Sequence, residues 1–383
     1  MKTQKIVVVC LTVVGLLALA VVGSRFVFQP RESTTPSKAD RRILRAIRAI
    51  ERQPDSPEGY NQLASAYMQK ARETSDFDLN AKADDAIERS LEIEPANYDA
   101  LKLRAKLQLT YHRFAEALET ARRAQVVRTD DHDVWGQITD ALVELGDYEG
   151  AVKAAQTMVD LRPDSSSYAR VSYLRSLHGD TEGAIQAMTA AVQAANPNDP
   201  EAIAWSRVQL GNELMNAGRL GEAEREFDEA LRVFADHPLA LRGKAEARVA
   251  AGDVQGAIEI CKREKASADA AQMLGDLYTR LGRHDAARKE YQKFETLERE
   301  NAVSERSWRH MVNYWLDHGR NLEQALTLAT QEYETRKDIF TCDALAWALF
   351  KNGRVAEAKK FMKEALRTGT KDARINQHAE IIF

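Results

Sequence analysis

The sequence is poor in the residue types that build metal centres and disulfides. It has three cysteines and eight histidines in 383 residues. No cysteine pair has CxxC spacing, and Cys261 and Cys342 stand 81 residues apart, so we expect neither a zinc site nor a disulfide. The one local cluster, Asp131-His132-Asp133, is better explained as a helix start with aspartate as the N-cap. The sequence therefore predicts no metal ligand.

Motifs of catalysis are missing as well. The chain contains no GxSxG elbow, no GxGxxG, no phosphate-binding loop and no HExxH pair. Most of its 19 glycines fall where turns are predicted, which explains them without a ligand. We therefore expect no catalytic residue and no cofactor, and a protein that is not an enzyme.

An excess of positive charge is also lacking. Lys and Arg number 54 against 58 Asp and Glu, a net charge of −4. Removing Lys2, Lys5 and Arg25 leaves 51 basic residues against 58 acidic ones, so the rest of the chain is near −7. Because nucleic-acid binding depends on cationic surfaces, this balance argues against such a partner.

One long hydrophobic run is present near the start. Residues 6–22 are seventeen uncharged, apolar residues preceded by Lys2 and Lys5. Seventeen residues reach the lower bound for a spanning helix, so we favour residues 1–28 as a single-pass anchor in a bacterial inner membrane with an extracytoplasmic body. Small residues at Ala18 and Ala20 also suit a cleaved signal, which would leave a periplasmic or secreted protein. Both alternatives stay open.

Two short segments follow this run. Residues 29–40 contain Pro30 and Pro36 without apolar periodicity, which predicts a flexible tether. Residues 41–56 predict an amphipathic basic helix. One of its faces carries isoleucine at helical spacing, and another carries arginine. The isoleucines are Ile43, Ile47 and Ile50, and the arginines are Arg41, Arg45, Arg48 and Arg52. This helix either caps the domain that follows or brings its arginines to anionic lipid.

A spaced pattern of bulky, small and turn residues then recurs. Beginning at Trp135, it continues through Ile138, Thr139, Leu142, Gly146, Ala151, Ala155, Met158 and Pro163. Such spacing describes two antiparallel helices joined by a glycine turn and ended by proline. Thirty-four residues earlier, Leu101 opens a matching unit, and related units extend the pattern to nine hairpins over residues 57–370.

The pattern resembles the tetratricopeptide repeat (TPR). The segments YARVSYLRSLHGD at 168–180 and DALAWALFKNGR at 343–354 also resemble an uncharacterised bacterial group of exported, membrane-anchored TPR proteins. The resemblance implies an all-α fold, a right-handed superhelical solenoid of about nine hairpins. Residues 371–383 would form an incomplete C-terminal helix.

In a solenoid of this kind, the first helix of each hairpin lines a concave groove. The resemblance thus implies a protein or peptide partner of unknown identity in that groove. Candidate partner-binding residues are the non-core ones on first helices: Lys102, Lys106, Arg170, Tyr173, Trp205, Asn212, Arg309, Asn313 and Trp347. We expect a non-catalytic, membrane-tethered scaffold. The alternatives are a self-assembly module that forms a homo-oligomer and, less favoured, a subunit that binds cell-envelope polysaccharide.

Overall fold

The computed structural model describes residues 37–74, 76, 78–264, 267–305 and 308–383. For residues 73 and 301–305 it describes the backbone and not the side chains. The predicted anchor or signal at 1–28 and most of the predicted tether at 29–40 lie outside the described residues. Within the described ranges, no helix has both the length and the hydropathy that crossing a membrane requires.

The described chain is built from helices and contains no strand. A first helix, α1, spans Lys38–Arg52. Nine pairs of consecutive helices follow, and the two helices of each pair pack against each other. The pairs are α2 (Pro57–Thr74) with α3 (Asp78–Ile93), α4 (Tyr98–Thr110) with α5 (Phe114–Val127), α6 (His132–Glu144) with α7 (Tyr148–Leu161), α8 (Ser165–Leu177) with α9 (Thr181–Gln193), α10 (Pro200–Asn216) with α11 (Leu220–Val233), α12 (Pro238–Ala250) with α13 (Val254–Cys261), α14 (Ala268–Arg280) with α15 (His284–Glu305), α16 (Arg309–Asp317) with α17 (Leu322–Thr335), and α18 (Ile339–Lys351) with α19 (Val355–Ala365). A last helix, α20, spans Ala373–Ile382.

The basic helix begins earlier than its sequence pattern indicates. Ser37 accepts a hydrogen bond from the Asp40 backbone amide at 3.1 Å, and the Asp40 carboxylate accepts one from the Ser37 amide at 3.0 Å. This reciprocal capping box fixes the first turn, so α1 starts at Lys38 instead of residue 41. Its buried face, with Ala39 and Ala46, covers the outer flank of α2.

A recurring turn joins the two helices of several hairpins. In the third hairpin, Gly146 has φ of +78°, a conformation that residues with a Cβ rarely adopt. Asp147 then caps α7 by accepting a hydrogen bond from the Gly150 amide at 2.9 Å. The same Gly-Asp-x-x-Gly sequence turns the chain at 179–183 and 252–256. These glycines are the turn residues that the repeat pattern predicts.

The helices approach closely where small residues meet a bulky one. Phe227 on α11 is fully buried and lies between Gly211 of α10 and Gly243 of α12. A Cβ atom on Gly211 would stand 2.5 Å from Phe227 Cε1, well inside van der Waals contact. One aromatic ring therefore links the fifth and sixth hairpins because two glycines leave room for it.

The array returns on itself, which the repeat pattern alone does not predict. The Lys337 amide donates to the Glu144 carbonyl at 2.7 Å, and the Ile339 amide donates to the Tyr148 hydroxyl at 2.9 Å. Arg367 donates to the Lys337 carbonyl at 2.7 Å while its guanidinium lies 5.0 Å from the centre of the Tyr148 ring. The ninth hairpin is thus joined to the third, and the helices between them form a closed loop. We call this junction the closure.

A buried ion cluster lies at the closure. Asp338, only 2% exposed, accepts a hydrogen bond from Arg309 at 2.9 Å and forms an ion pair with Arg336 at 2.9 Å, while Arg336 donates to Glu144. Burial opposes ionisation of Asp338, but the charges of Arg309 and Arg336 prevail and hold its pKa below the usual range. The cluster therefore joins the third, eighth and ninth hairpins through charge-assisted hydrogen bonds.

The final helix covers the ninth hairpin. His378 of α20 stacks on Trp347 with ring centroids 4.2 Å apart, and its Nδ1 lies 2.9 Å from the Asp343 carboxylate. Ile375 and Ile382 are buried against the hairpin, whereas Ile381 and Phe383 stay exposed. The segment predicted as an incomplete helix at 371–383 thus forms one packed helix.

The glycine contact gives a stability prediction. We expect Gly211→Ala to lower the free energy of unfolding by about 1–3 kcal/mol, because the new methyl group must displace the buried Phe227 ring. Gly221→Ala is the matched control, since a Cβ there meets no atom within 4 Å. Urea unfolding measures both. Equal stability of the two variants would contradict the packing described here.

The closure gives a second stability prediction. We expect Arg336→Met to cost about 3–5 kcal/mol, since it leaves the half-buried Glu144 without its cation and the buried Asp338 with one cation fewer. Small-angle scattering should also show a larger radius of gyration if the loop opens. Arg354→Met is the control because Arg354 pairs with Glu357 on the exposed surface, and its free energy of unfolding should stay nearly unchanged. A compact, fully stable Arg336→Met protein would exclude a structural role for the cluster.

Candidate functional site

A groove of about 720 Å³ lies on the first-helix side of the hairpins. Its walls come mainly from α2, α4, α6, α8 and α10, which are the first helices of hairpins one to five. The lining residues are Arg72, Lys106, Asp140, Ser165, Ser166, Ala169, Arg170, Ser172, Tyr173, Met188, Asp199, Glu201, Ala202, Trp205, Ser206, Gln209, Glu213 and His237. We call this surface the central groove.

Two aromatic side chains face the central groove. Trp205 is 40% exposed and Tyr173 is 43% exposed, although most large apolar residues of the described chain are buried. Desolvation of Tyr173 between the groove walls, followed by the negative charges of Glu144 and Asp338, raises the pKa of its hydroxyl. The hydroxyl is therefore neutral at physiological pH and available as a hydrogen-bond donor.

Arg170 is held rigidly by its neighbours. Its guanidinium forms a two-pronged ion pair with Asp140, with nitrogen–oxygen distances of 2.8 and 2.6 Å. It also donates to the Ser166 hydroxyl at 2.6 Å. Gly136 leaves room for it, since a Cβ there would stand 3.1 Å from Arg170 Cζ. Arg170 thus contributes a fixed surface, while its charge is largely balanced by Asp140.

Lys106 brings a further positive charge to the groove. No carboxylate forms an ion pair with it within the described ranges. Burial between the groove walls, then the charge of Arg72, lowers the pKa of its ammonium group. Arg72 donates to the Met68 carbonyl at 3.2 Å. The first two hairpins therefore present to the groove two positive charges that form no ion pair with a carboxylate of the described residues.

Acidic side chains lie on the opposite wall. Asp199 and Glu201 stand at the start of α10, and Glu213 lies near its end. Burial raises the pKa of Glu213, although it accepts a hydrogen bond from Ser176 at 2.9 Å. The groove thus passes from cations in hairpins one and two, across the aromatic pair, to acids in hairpin five.

The structure brings together four of the nine predicted partner-binding residues. Lys106, Arg170, Tyr173 and Trp205 line the central groove. Asn212 and Asn313 are half-buried on α10 and α16 and do not line it. Arg309 belongs to the closure, where it binds Asp338.

The remaining two predicted residues have partners within the fold. Trp347 is 7% exposed beneath α20. Lys102 Nζ lies 2.7 Å from both Asp131 and Asp133. His132 stands beside these aspartates, and the three side chains form the one candidate metal cluster of the described residues. Burial opposes it, but hydrogen bonds from Lys102 and Tyr98 lower the pKa of Asp131 to about 2. The protein's own lysine therefore neutralises this cluster.

Several lining residues could have been found by periodicity alone. Arg72 stands 34 residues before Lys106, and Asp140 stands 34 residues after it, which places all three at one repeat position. Gln209 and Glu213 follow Trp205 at helical steps of four residues. Asn212 is half-buried and lies off the line of these three residues on α10.

Family comparison agrees with this geometry. Models described as tetratricopeptide repeat match residues 139–200, 208–271, 268–301 and 341–371. The chain contains tetratricopeptide repeats. Its described part is an all-helical TPR solenoid, as the sequence pattern predicts. A comparison with curated protein sequences gave no match.

Several solved structures are similar to this chain. The human IFIT1 dimer with m7Gppp-AAAA is 14% identical and has a TM-score of 0.54, covering 85% of this chain and 77% of its own. A TPR protein from Parabacteroides merdae is 16% identical with a TM-score of 0.45, over 61% and 93% of the two chains. YrrB, a TPR protein with an unusual peptide-binding site, is 18% identical with a TM-score of 0.34, over 52% and 97%. At 14% identity the likeness to the IFIT1 structure concerns the fold alone.

The environment of Lys106 yields a titration prediction. We expect its ammonium group to lose its proton at lower pH than that of Lys153, whose pKa is raised by its hydrogen bond with Glu149. NMR titration of isotopically methylated lysines measures both groups in one sample. Arg72→Gln should move the pKa of Lys106 back towards the ordinary 10.5, because it removes a neighbouring positive charge. The control Arg225→Gln, an exposed arginine on α11, should leave it unchanged. Coincident titration of Lys106 and Lys153 would refute the prediction.

Proposed function

We propose that this TPR protein is a non-catalytic scaffold that binds an extended peptide or protein segment in the central groove. TPR repeats generally mediate interactions between proteins. The observation that carries the proposal is the exposed pair Trp205 and Tyr173 within a groove of about 720 Å³. Buried aromatic and arginine anchors contribute most of the binding energy in protein interfaces.

The charges of the groove indicate the kind of segment that fits. An acidic side chain would meet Lys106 and Arg72, with which no carboxylate of the described residues forms an ion pair. An apolar side chain would lie on Trp205 and Tyr173. A basic side chain would then meet the acids of α10. The segment would therefore carry acidic, apolar and basic residues in that order across hairpins one to five, which fixes its register by charge complementarity.

The scaffold we propose is tethered to a bacterial inner membrane by residues 6–22, with the repeat array on the extracytoplasmic side. The support is the uncharged run itself and the positions of Lys2 and Lys5 before it. Cleavage after the run remains the alternative, and it would release the same groove into the periplasm. In both cases the groove residues carry the binding function.

A peptide-display experiment tests groove binding without knowledge of the natural partner. Peptides selected on the full chain should bind at least about 10-fold more weakly to Tyr173→Ala with Trp205→Ala, because two central aromatic anchors are removed. Fluorescence anisotropy measures the dissociation constants. The matched control is Val152→Ala with Leu161→Ala, which removes two apolar side chains of 46% and 41% exposure from α7, outside the groove.

The outcomes separate clearly. Loss of affinity in the groove variant alone supports the proposal. Equal affinity of all three proteins for every selected peptide would overturn it. Adding Lys106→Gln should weaken acidic peptides selectively, since it removes the cation that they meet and leaves the aromatic pair in place.

A further inference from the structure

Helix α1 presents an exposed face that combines arginine with apolar side chains. Arg45, Arg48 and Arg52 are all exposed and lie at helical steps of three and four residues. Leu44 is 51% exposed and Ile47 is 37% exposed beside them. None of the three arginines forms an ion pair in the part of the chain that the structure describes. We call this surface the outer face of α1.

The other side of α1 is fixed to the repeat array. Asp40 pairs with Lys70 at 2.6 Å, and Arg42 donates to Ser65 at 3.2 Å. Ile50 packs so closely on Gly59 that a Cβ there would stand 2.8 Å from Ile50 Cγ1. The outer face therefore keeps one orientation relative to the array and does not turn inward to bury Leu44.

The charge of α1 is opposite to that of the remaining chain. Residues 38–52 contain six basic and two acidic residues, a net charge of +4. The remaining residues have 48 basic and 56 acidic side chains, a net charge of −8. The outer face of α1 is thus a positive surface on a negative protein, and it would attract an anionic partner.

We propose that the outer face of α1 lies on an anionic lipid bilayer. The arginines contact lipid phosphates, and Leu44 and Ile47 enter the boundary between headgroups and acyl chains, which is how basic amphipathic helices bind membranes. This inference rests on the proposed membrane tether. It adds that the array is held against the surface in a defined orientation.

The distance along the chain supports this occupant over an acidic protein. Only residues 23–37 separate the apolar run from α1, fifteen residues. Fully extended, they reach at most about 50 Å. With residues 6–22 in the bilayer, α1 always stays near lipid, so the effective concentration of the membrane at this face is high. A lipid surface offers phosphates to the arginines of this face and an apolar boundary to Leu44 and Ile47.

A vesicle-binding experiment isolates the contribution of α1. The full chain carrying Val14→Asp and Leu17→Asp, which break the apolar run, is the parent protein. We expect it to co-float with vesicles of equal parts phosphatidylglycerol and phosphatidylcholine, and not with phosphatidylcholine alone. Arg45→Gln with Arg48→Gln and Arg52→Gln should weaken this binding about 100-fold. High salt should weaken it too.

Two control variants make the result specific. Arg225→Gln with Arg280→Gln and Arg283→Gln removes three exposed arginines from elsewhere on the array and should leave the binding unchanged. Arg45→Lys with Arg48→Lys and Arg52→Lys keeps the charge and should retain most of it. Equal binding by both triple glutamine variants, or binding that does not depend on phosphatidylglycerol, would overturn the proposal.

The tether itself is tested separately. Alkaline carbonate extraction of membranes that contain the unmodified chain reports whether residues 6–22 anchor it. If carbonate extracts the chain while the parent still binds phosphatidylglycerol through its arginines, the proposed anchor is wrong and the proposed lipid-binding face of α1 is supported. If the chain resists extraction and the parent ignores the anionic vesicles, the inference about α1 fails alone.

Discussion

No hairpin of this chain can bury its apolar face by itself, and the rest of the structure follows from that constraint. Each pair of helices covers its side chains only by packing on the next pair. Small residues at the contacts allow this approach, as the Phe227 ring between Gly211 and Gly243 shows. The two flanks of the array are covered by α1 at one side and α20 at the other. Repetition of one packing contact thus produces the solenoid.

The closure changes what this solenoid can do. An open array exposes its concave face along its full length, whereas here Glu144 and Tyr148 bind the segment around Asp338. The charges of the closure act on Tyr173 at the wall of the central groove. None of the described closure residues lines the central groove, so the closure acts on the groove through charge.

Charge is distributed unevenly over the molecule, and this distribution separates two surfaces. The central groove contains cations and acids on opposite walls, which suits a segment of mixed charge. The outer face of α1 is cationic and apolar, with no described acid paired to Arg45 or Arg48. A scaffold that holds a protein segment on one surface and lies on lipid with another would position its partner next to the membrane.

The sequence by itself determined the repeat, its period and the hairpin turns, because helical spacing, glycine at turns and small residues at contacts are local requirements. It also located Lys106, Arg170, Tyr173 and Trp205, since position within a repeat decides which residues face the groove. The sequence did not show that three other candidates have partners within the fold. Lys102 pairs with Asp131, Arg309 pairs with Asp338, and Trp347 stacks on His378. Only the tertiary structure decided those partners and the closure between Glu144 and Arg336. They join residues far apart in the chain, and the cumulative geometry of many hairpins, which no local pattern encodes, brings them together.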